Sequence, residues 1–363
     1  MTQAQLALED GTVVTGEGLG VPGISAGELV FTTTFTGYEE SLTDPSYRGQ
    51  NLMFTYPLIG NYGFSGLSAQ SDSVQAEGVV VKEACGSPSH RHSKSSIHDY
   101  LLDNGSRGIS GVDTRCLTVK IREKGAVKSA IAVGNYERKE VLAAARNQPS
   151  ITETDLISEV SVEEPVEIGG SGPRMAVVDT GAKRNILKDL LQRNFHLTVY
   201  PHDTPAEEIA EKNPDALFLV NGPGDPKRAK NPIEVVRKFF GEIPIFGICF
   251  GAQIIALALG GDTYKLKFGH RGANQPVLDK TSGIVEITAQ NHGFAIDGDS
   301  LTGAPLVVTE KNATDGTVEA VESKSGDVFA VQYHPEGAPG PKDREDWFFD
   351  KVLKITEGQY AKA

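Results

Sequence analysis

Cys249 is the side chain whose surroundings most clearly invite chemistry. It lies in Ile243-Pro-Ile-Phe-Gly-Ile-Cys-Phe-Gly-Ala-Gln-Ile-Ile, an apolar run that must pass from strand to helix within one residue. Gly247 and Gly251 flank it at i−2 and i+2, where only small residues let strand and helix crowd around a strained turn. Such an elbow pushes the side chain clear of the sheet. The helix N-terminus, with its unpaired N–H groups and positive dipole end, favours thiolate over thiol. This matters because an unperturbed thiol, with a pKa of about 8.5, is only a few per cent ionised at neutral pH. A free cysteine is more often a small packing residue, but the flanking glycines, the strand before and the helix after argue for a nucleophile. Serine hydrolases share the small-x-nucleophile-x-small pattern, so it defines a geometry and not a substrate.

A thiol nucleophile needs a base that can take its proton and return it to a leaving amine, and histidine titrates nearest neutrality. Among eight histidines, His334 follows the strand-like Val328-Phe-Ala-Val-Gln-Tyr and opens His334-Pro335-Glu336. Pro335 stiffens that turn, and Glu336 can fold back to receive one ring N–H while the other nitrogen faces the thiol. His90, His92 and His98 lie in a Ser-rich polar stretch with no acidic or thiol ligands close by, which reads as a solvated loop and not a metal site. His292, between Asn291 and Gly293-Phe294, is placed in a turn between strands where substrate contacts are plausible. Asn221-Gly222-Pro223-Gly224-Asp225-Pro226 is a Gly-rich loop whose main-chain N–H groups can point inward. A donor from Gly224 and one from Phe250 would form an oxyanion hole, and loss of one such donor typically costs about 2.7–4 kcal/mol of barrier.

These residues need a scaffold. The chain has 363 residues, 39% of them hydrophobic and 23% charged, as in an ordinary globular protein of two domains. Residues 1–150 read as a mixed domain, with β-branched segments at 12–15, 27–36 and 77–82 and helical stretches at 94–103 and 137–145. Residues 151–173 are acidic, end in Gly-Gly-Ser-Gly-Pro and read as a linker. From 174 to 363, apolar runs alternate with amphipathic segments, the pattern of a mostly parallel sheet flanked by helices. Strands are expected at 175–178, 196–200, 216–220 and 243–248, and helices at 183–193, 206–212, 233–240, 252–259 and 343–353, with Pro232 at a first helical position. Ligands in such sheets collect beyond the strand carboxyl ends. The net charge of −13 disfavours a nucleic-acid partner. No stretch approaches the roughly 20 apolar residues of a membrane span, and no signal-peptide pattern is present, so a cytoplasmic location is expected. The three cysteines are scattered, without disulfide or metal-ligand spacing.

Taken together, NGPGDP, GICFGAQ and HPE, in this order, resemble a class I glutamine amidotransferase domain. Within that class, FTTTFTGYEESLTDPSYRGQ (31–50), GVDTRCLTVKIREKG (111–125) and GAKRNIL (181–187) resemble the carbamoyl-phosphate synthetase small-subunit family over essentially the whole chain. The resemblance implies an α/β fold in which a class I amidotransferase domain follows a smaller mixed domain that makes the partner and tunnel contacts. It implies that Cys249 attacks the glutamine side-chain amide to form a thioester, with His334 as base and then acid and Glu336 orienting it. It also implies glutamine contacts from Ser46, Gly222, Gly224, Phe250, Gln253, Asn291, Gly293 and Phe294. No metal or cofactor is implied in this subunit; ATP and a divalent metal belong to a large synthetase subunit, the expected partner in a heterodimer or a higher oligomer of heterodimers. Ammonia would pass to that partner for carbamoyl phosphate, arginine and pyrimidine synthesis. Phe250 and Ala252 stand where the family tends to have Leu and His, and Arg271, Ala273 and Gln275 where it tends to have His, Gly and His. A glutaminase feeding the synthesis of anthranilate, GMP or CTP is disfavoured by the first domain, and an inactive scaffold by the presence of Cys249.

Overall fold

The computed structural model describes residues 2–358. The chain divides between Thr154 and Asp155 into two compact units. In the first, seven strands close into a barrel in the order Gln3–Leu8, Val13–Gly20, Arg107–Ser110, Gly78–Val80, Gln50–Phe54, Gly23–Thr32 and Val127–Val133, the last pairing back to the first. Closure leaves no unpaired edge, which is how short strands of three to ten residues build a stable sheet. Helices Ile97–Asp103 and Thr114–Lys124 start at Ser96 and Asp113, whose side chains accept the N–H of Asp99 and Cys116. The core beside the barrel stacks Tyr38 on Tyr62 with ring centroids 4.1 Å apart. Ser46 lies in this unit, buried in a 3-10 turn, Pro45–Tyr47, that Asp44 caps.

The second unit is a ten-stranded sheet in the order Val166–Ile168, His196–Pro201, Arg174–Asp179, Ala216–Leu219, Ile245–Ile248, Val328–Val331, Val318–Ser323, Leu306–Asn312, Asp262–Asp279 and Val285–Asp297. The run from His196–Pro201 to Val328–Val331 is parallel, and the remaining pairings are antiparallel. Parallel strands covered on both faces must be apolar throughout. Accordingly Ala216–Leu219, Ile245–Ile248 and Val328–Val331 are buried at every position. Helices Ala206–Glu211, Lys230–Phe239 and Phe250–Ala258 supply the core on one face, and Arg184–Gln192 and Glu345–Thr356 that on the other.

Away from the site, the structure differs from the sequence expectation at two places. Within the stretch 151–173 expected as a linker, residues from Asp155 onward belong to the second unit, and Val166–Ile168 adds an antiparallel edge strand to His196–Pro201. An edge strand needs only backbone pairing, so its acidic, aperiodic sequence does not announce it. The helix expected to open at Pro232 begins at Lys230, which puts Pro232 at the third helical position. The first turn tolerates this because its N–H groups have no intrahelical acceptor.

Candidate active site

The elbow is built as its glycines require. A Cβ on Gly247 would meet the backbone of Gly251 and the side chain of Ile255, and a Cβ on Gly251 would run into the carbonyl of Leu219 on the next strand. Cys249 itself has φ 54° and ψ −103°, outside the ordinary left-handed region, and caps the helix Phe250–Ala258. Backbone held in this way is costly and persists only where its surroundings fix it. Here the Cys249 N–H donates to Val331 O at 2.8 Å, tying the elbow to the neighbouring parallel strand. Phe250, the first residue of the helix, has an N–H with no intrahelical acceptor. The sulfur lies 3.6 Å from the carbonyl oxygen of Asn291 and 3.6 Å from Nε2 of Gln332.

The strand that anchors Cys249 also delivers the histidine. Ile248 is in register with Val331, so both strands end together, and three residues later His334 is pinned by its N–H to Ala289 O at 2.8 Å. His334 Nδ1 lies 2.6 Å from Glu336 Oε1, and the same oxygen lies 2.7 Å from Lys183 Nζ. All three side chains are buried. His334 Nε2 is buried without a hydrogen-bond partner, and the Cys249 sulfur is near enough to act on the ring electrostatically. Burial opposes charge on His334, yet the Glu336 carboxylate, helped by the Cys249 sulfur and opposed by Lys183, pushes the imidazole up to about 10. Burial likewise favours a neutral Glu336, but Lys183 and then His334 bring the carboxyl down to about 2. At neutral pH the proton therefore sits on His334, between a carboxylate and a sulfur.

Comparisons with known proteins identify the family. Residues 6–131 match the family described as carbamoyl-phosphate synthase small chain, CPSase domain, and residues 176–355 match glutamine amidotransferase class-I. A carbamoyl phosphate synthase small chain of Methanosarcina acetivorans is 53% identical over 365 residues, covering 98% of this chain and 99% of that one. The chain belongs to the carbamoyl-phosphate synthase small-chain family. A small chain of Methanopyrus kandleri is 49% identical over 97% of this chain and 99% of its own length. A protein described as a pyrimidine-specific small chain, from Halalkalibacterium halodurans, is 43% identical over 99% of this chain and 98% of its own. As a member of this family, the chain is the glutamine amidotransferase subunit that supplies ammonia for carbamoyl phosphate synthesis.

The small-chain sequence motifs converge in the second unit. Gly222 and Gly224 follow the strand Ala216–Leu219, whose Leu219 pairs with Gly247 of the elbow strand. Gly222 packs so closely on the carbonyl of Thr180 that no Cβ fits, and Gly224 has φ +85°. Gln253 Nε2 donates to Phe294 O at 2.8 Å and to Gln332 Oε1 at 3.0 Å. Asn291, Gly293 and Phe294 lie in the strand Val285–Asp297 and not in a turn, and the Asn291 carbonyl reaches the sulfur. His292 is buried, and this, with His270 beside it, holds its pKa well below the usual histidine value. Arg271 is buried and donates from Nη1 to Phe268 O at 2.7 Å.

Sequence reasoning missed Lys183 and Gln332. In the sequence they stand only as parts of a motif and of a strand-like run. Lys183 is fully buried, its N–H donates to Asn221 Oδ1 at 3.1 Å, and its Nζ meets Glu336, so it couples the GAKRNIL and NGPGDP loops to the His334 turn. A polar Gln332 in the strand-like run before His334 was the available signal, because a buried amide must find partners.

Proposed function

We propose that Cys249 hydrolyses the glutamine side-chain amide, with His334 moving the proton and Glu336 orienting and charging His334. The observation that carries this reading is the buried chain Lys183–Glu336–His334 ending beside a cysteine at a strained helix N-terminus. With the proton held on His334, the sulfur attacks the amide carbon. The tetrahedral oxyanion is met by the main-chain N–H groups of Gly224 and Phe250, and the imidazolium gives its proton to the leaving nitrogen, releasing ammonia. His334 then takes a proton from water, which attacks the thioester carbonyl and frees glutamate, returning Cys249 and His334 to their starting state. The net reaction is glutamine plus water to glutamate plus ammonia.

Gly222, Gly224, Phe250, Gln253, Asn291, Gly293 and Phe294 are assigned to glutamine binding. Ser46 joins them through the family resemblance alone. The hydrolysis needs no cofactor in this chain. The ammonia is passed through a tunnel to a large subunit, with which this chain forms a cytoplasmic heterodimer and which uses ATP, a divalent metal and bicarbonate to make carbamoyl phosphate for arginine and pyrimidine synthesis. The first unit supplies the contacts for that partner.

The test is steady-state assay of the reconstituted two-subunit complex. Cys249→Ala should abolish glutamine hydrolysis, and His334→Ala should lower its kcat by about 10²–10⁴-fold, the usual weight of a general acid–base. Both should retain synthesis from added ammonia. Glutamine-dependent synthesis by Cys249→Ala at the wild-type rate would rule the mechanism out.

A further inference from the structure

A second histidine–carboxylate group, buried at His292 and Glu319 and half-buried at His270, stands apart from the catalytic set. His270, His292 and Glu319 come from the strands Asp262–Asp279, Val285–Asp297 and Val318–Ser323, and one potential ligand atom from each lies within 4.8 Å of the others. The two rings meet edge to face, with centroids 5.0 Å apart and planes at 83°. No ligand spacing announces the group in the sequence, because its members come from three separate strands.

The hydrogen bonds decide what these atoms can do. His270 Nε2 lies 2.9 Å from Asp315 Oδ2, and His292 Nδ1 lies 2.8 Å from the carbonyl oxygen of Phe294. Both oxygens can only accept, so these two nitrogens carry the hydrogens and the neutral rings present lone pairs at His270 Nδ1 and His292 Nε2. What faces those lone pairs is also an acceptor. Glu319 Oε1, which receives Asn312 Nδ2 at 3.1 Å, stands 4.0 Å from His270 Nδ1. Gln290 Oε1 stands 3.2 Å from His292 Nε2. His270 Nδ1 and Glu319 Oε2 are buried without a hydrogen-bond partner. Buried acceptors that face one another are unfavourable unless something positive lies between them.

We propose that His270 Nδ1, His292 Nε2 and the Glu319 carboxylate form a binding site for a divalent transition-metal ion of the zinc class. Two imidazoles and one carboxylate are a ligand set that zinc accepts, with a fourth position for water or the Gln290 amide oxygen. Each imidazole has its second nitrogen held by an oxygen acceptor, the outer-shell arrangement that orients a metal-ligating histidine. Zinc bonds of about 2.0–2.2 Å put tetrahedral ligand atoms about 3.4 Å apart, so the group closes by roughly 1 Å on binding. An ion here would tie together the three strands around His292, the residue between Asn291 and Gly293.

The experiment uses the full-length chain, stripped with a chelator and titrated with Zn2+ by calorimetry, with Co2+ as a spectroscopic probe and thermal unfolding recorded with and without Zn2+. Wild type is expected to bind one Zn2+ per chain and to gain thermal stability. Its Co2+ form should show visible absorption without the near-ultraviolet charge-transfer band of a thiolate ligand. Glu319→Gln should bind about 100-fold more weakly, while in chelator its Tm should not fall below that of wild type, because the amide keeps an oxygen for Asn312 Nδ2 and removes a buried carboxyl oxygen that has no hydrogen-bond partner. His270→Gln carries the same binding comparison should Glu319→Gln fail to fold. Absence of Zn2+ binding by wild type, unchanged affinity in both variants, or a thiolate band in the Co2+ spectrum would each overturn the proposal.

Discussion

The second unit buries two histidine–carboxylate groups, and they are satisfied in opposite ways. In Lys183–Glu336–His334, positive and negative groups alternate at 2.7 and 2.6 Å, so the buried Glu336 carboxylate is compensated by cations that the protein itself supplies, and the Cys249 sulfur acts on His334 as well. In His270–His292–Glu319, the inward-facing atoms are all acceptors, and the hydrogens of the rings point away to Asp315 and Phe294. The first group is fully buried, and the second is buried at His292 and Glu319 and half-buried at His270. What differs is whether the protein supplies the compensating positive charge itself. A self-compensated group is ready to move a proton without a guest, whereas a group of acceptors is ready to receive a cation.

The largest expected effect comes from removing the cation that the first group carries. Lys183→Met leaves Glu336 buried with only His334 opposite it, and breaking a buried pair by deleting one partner typically costs about 3–5 kcal/mol. The variant should unfold at markedly lower denaturant, and its glutaminase kcat should fall by more than its KM rises, because Lys183 positions Glu336 and does not touch the sulfur. Lys183→Arg should recover part of the stability. A Lys183→Met protein as stable as wild type would show that Glu336 is neutralised by something other than the lysine, and the contrast between the two groups would lose its basis.

The sequence reveals one group and conceals the other for the same physical reason. Cys249 and His334 sit at the carboxyl ends of short apolar strands, and local features mark such ends: Gly247 and Gly251 around the elbow, Pro335 after the histidine. A reader of the chain can therefore place them without knowing the sheet. Lys183, Gln332 and Glu319 look like ordinary polar residues in a loop or a strand, and their meaning depends on burial and on partners brought by non-local pairing. The barrel of the first unit was hidden in a similar way, since strands as short as Gly78–Val80 are too brief to show a period. The parallel half of the second sheet was legible because strands buried on both faces are apolar along their whole length.

A pH series sharpens the comparison further. His334 is raised to about 10 in the folded protein from an ordinary value of 6.5. A raised histidine contributes stability that is fully present below the unfolded value and is lost as pH rises through the folded one. Glu336, lowered to about 2 from 4.5, contributes stability that is present above 4.5 and lost as pH falls through 2. The stabilising charges of this group are thus complete between about pH 4.5 and 6.5, and the high-pH loss runs from 6.5 to 10. The stability difference between wild type and His334→Gln, measured by urea unfolding, should shrink steadily from pH 6.5 towards 10. A difference that stays constant over that range would mean that His334 carries no extra proton in the folded state.

The smallest effect separates an outer-shell carboxylate from a mere surface pair. Asp315 is partly exposed and bonded to His270 Nε2 at 2.9 Å. Without metal, an exposed pair of this kind is worth about 0–1 kcal/mol, so Asp315→Asn should barely move the denaturation midpoint in chelator. With Zn2+ the same substitution should matter more. The carboxylate fixes which ring nitrogen carries the hydrogen, and the loss of such a partner weakens metal binding by about 10–100-fold. A titration that finds wild-type Zn2+ affinity in Asp315→Asn would make the His270–Asp315 contact a surface pair with no part in orienting a ligand. A selective loss of affinity, with stability in chelator unchanged, would show that the hydrogen on the far side of the ring is what turns its inner nitrogen towards the ion.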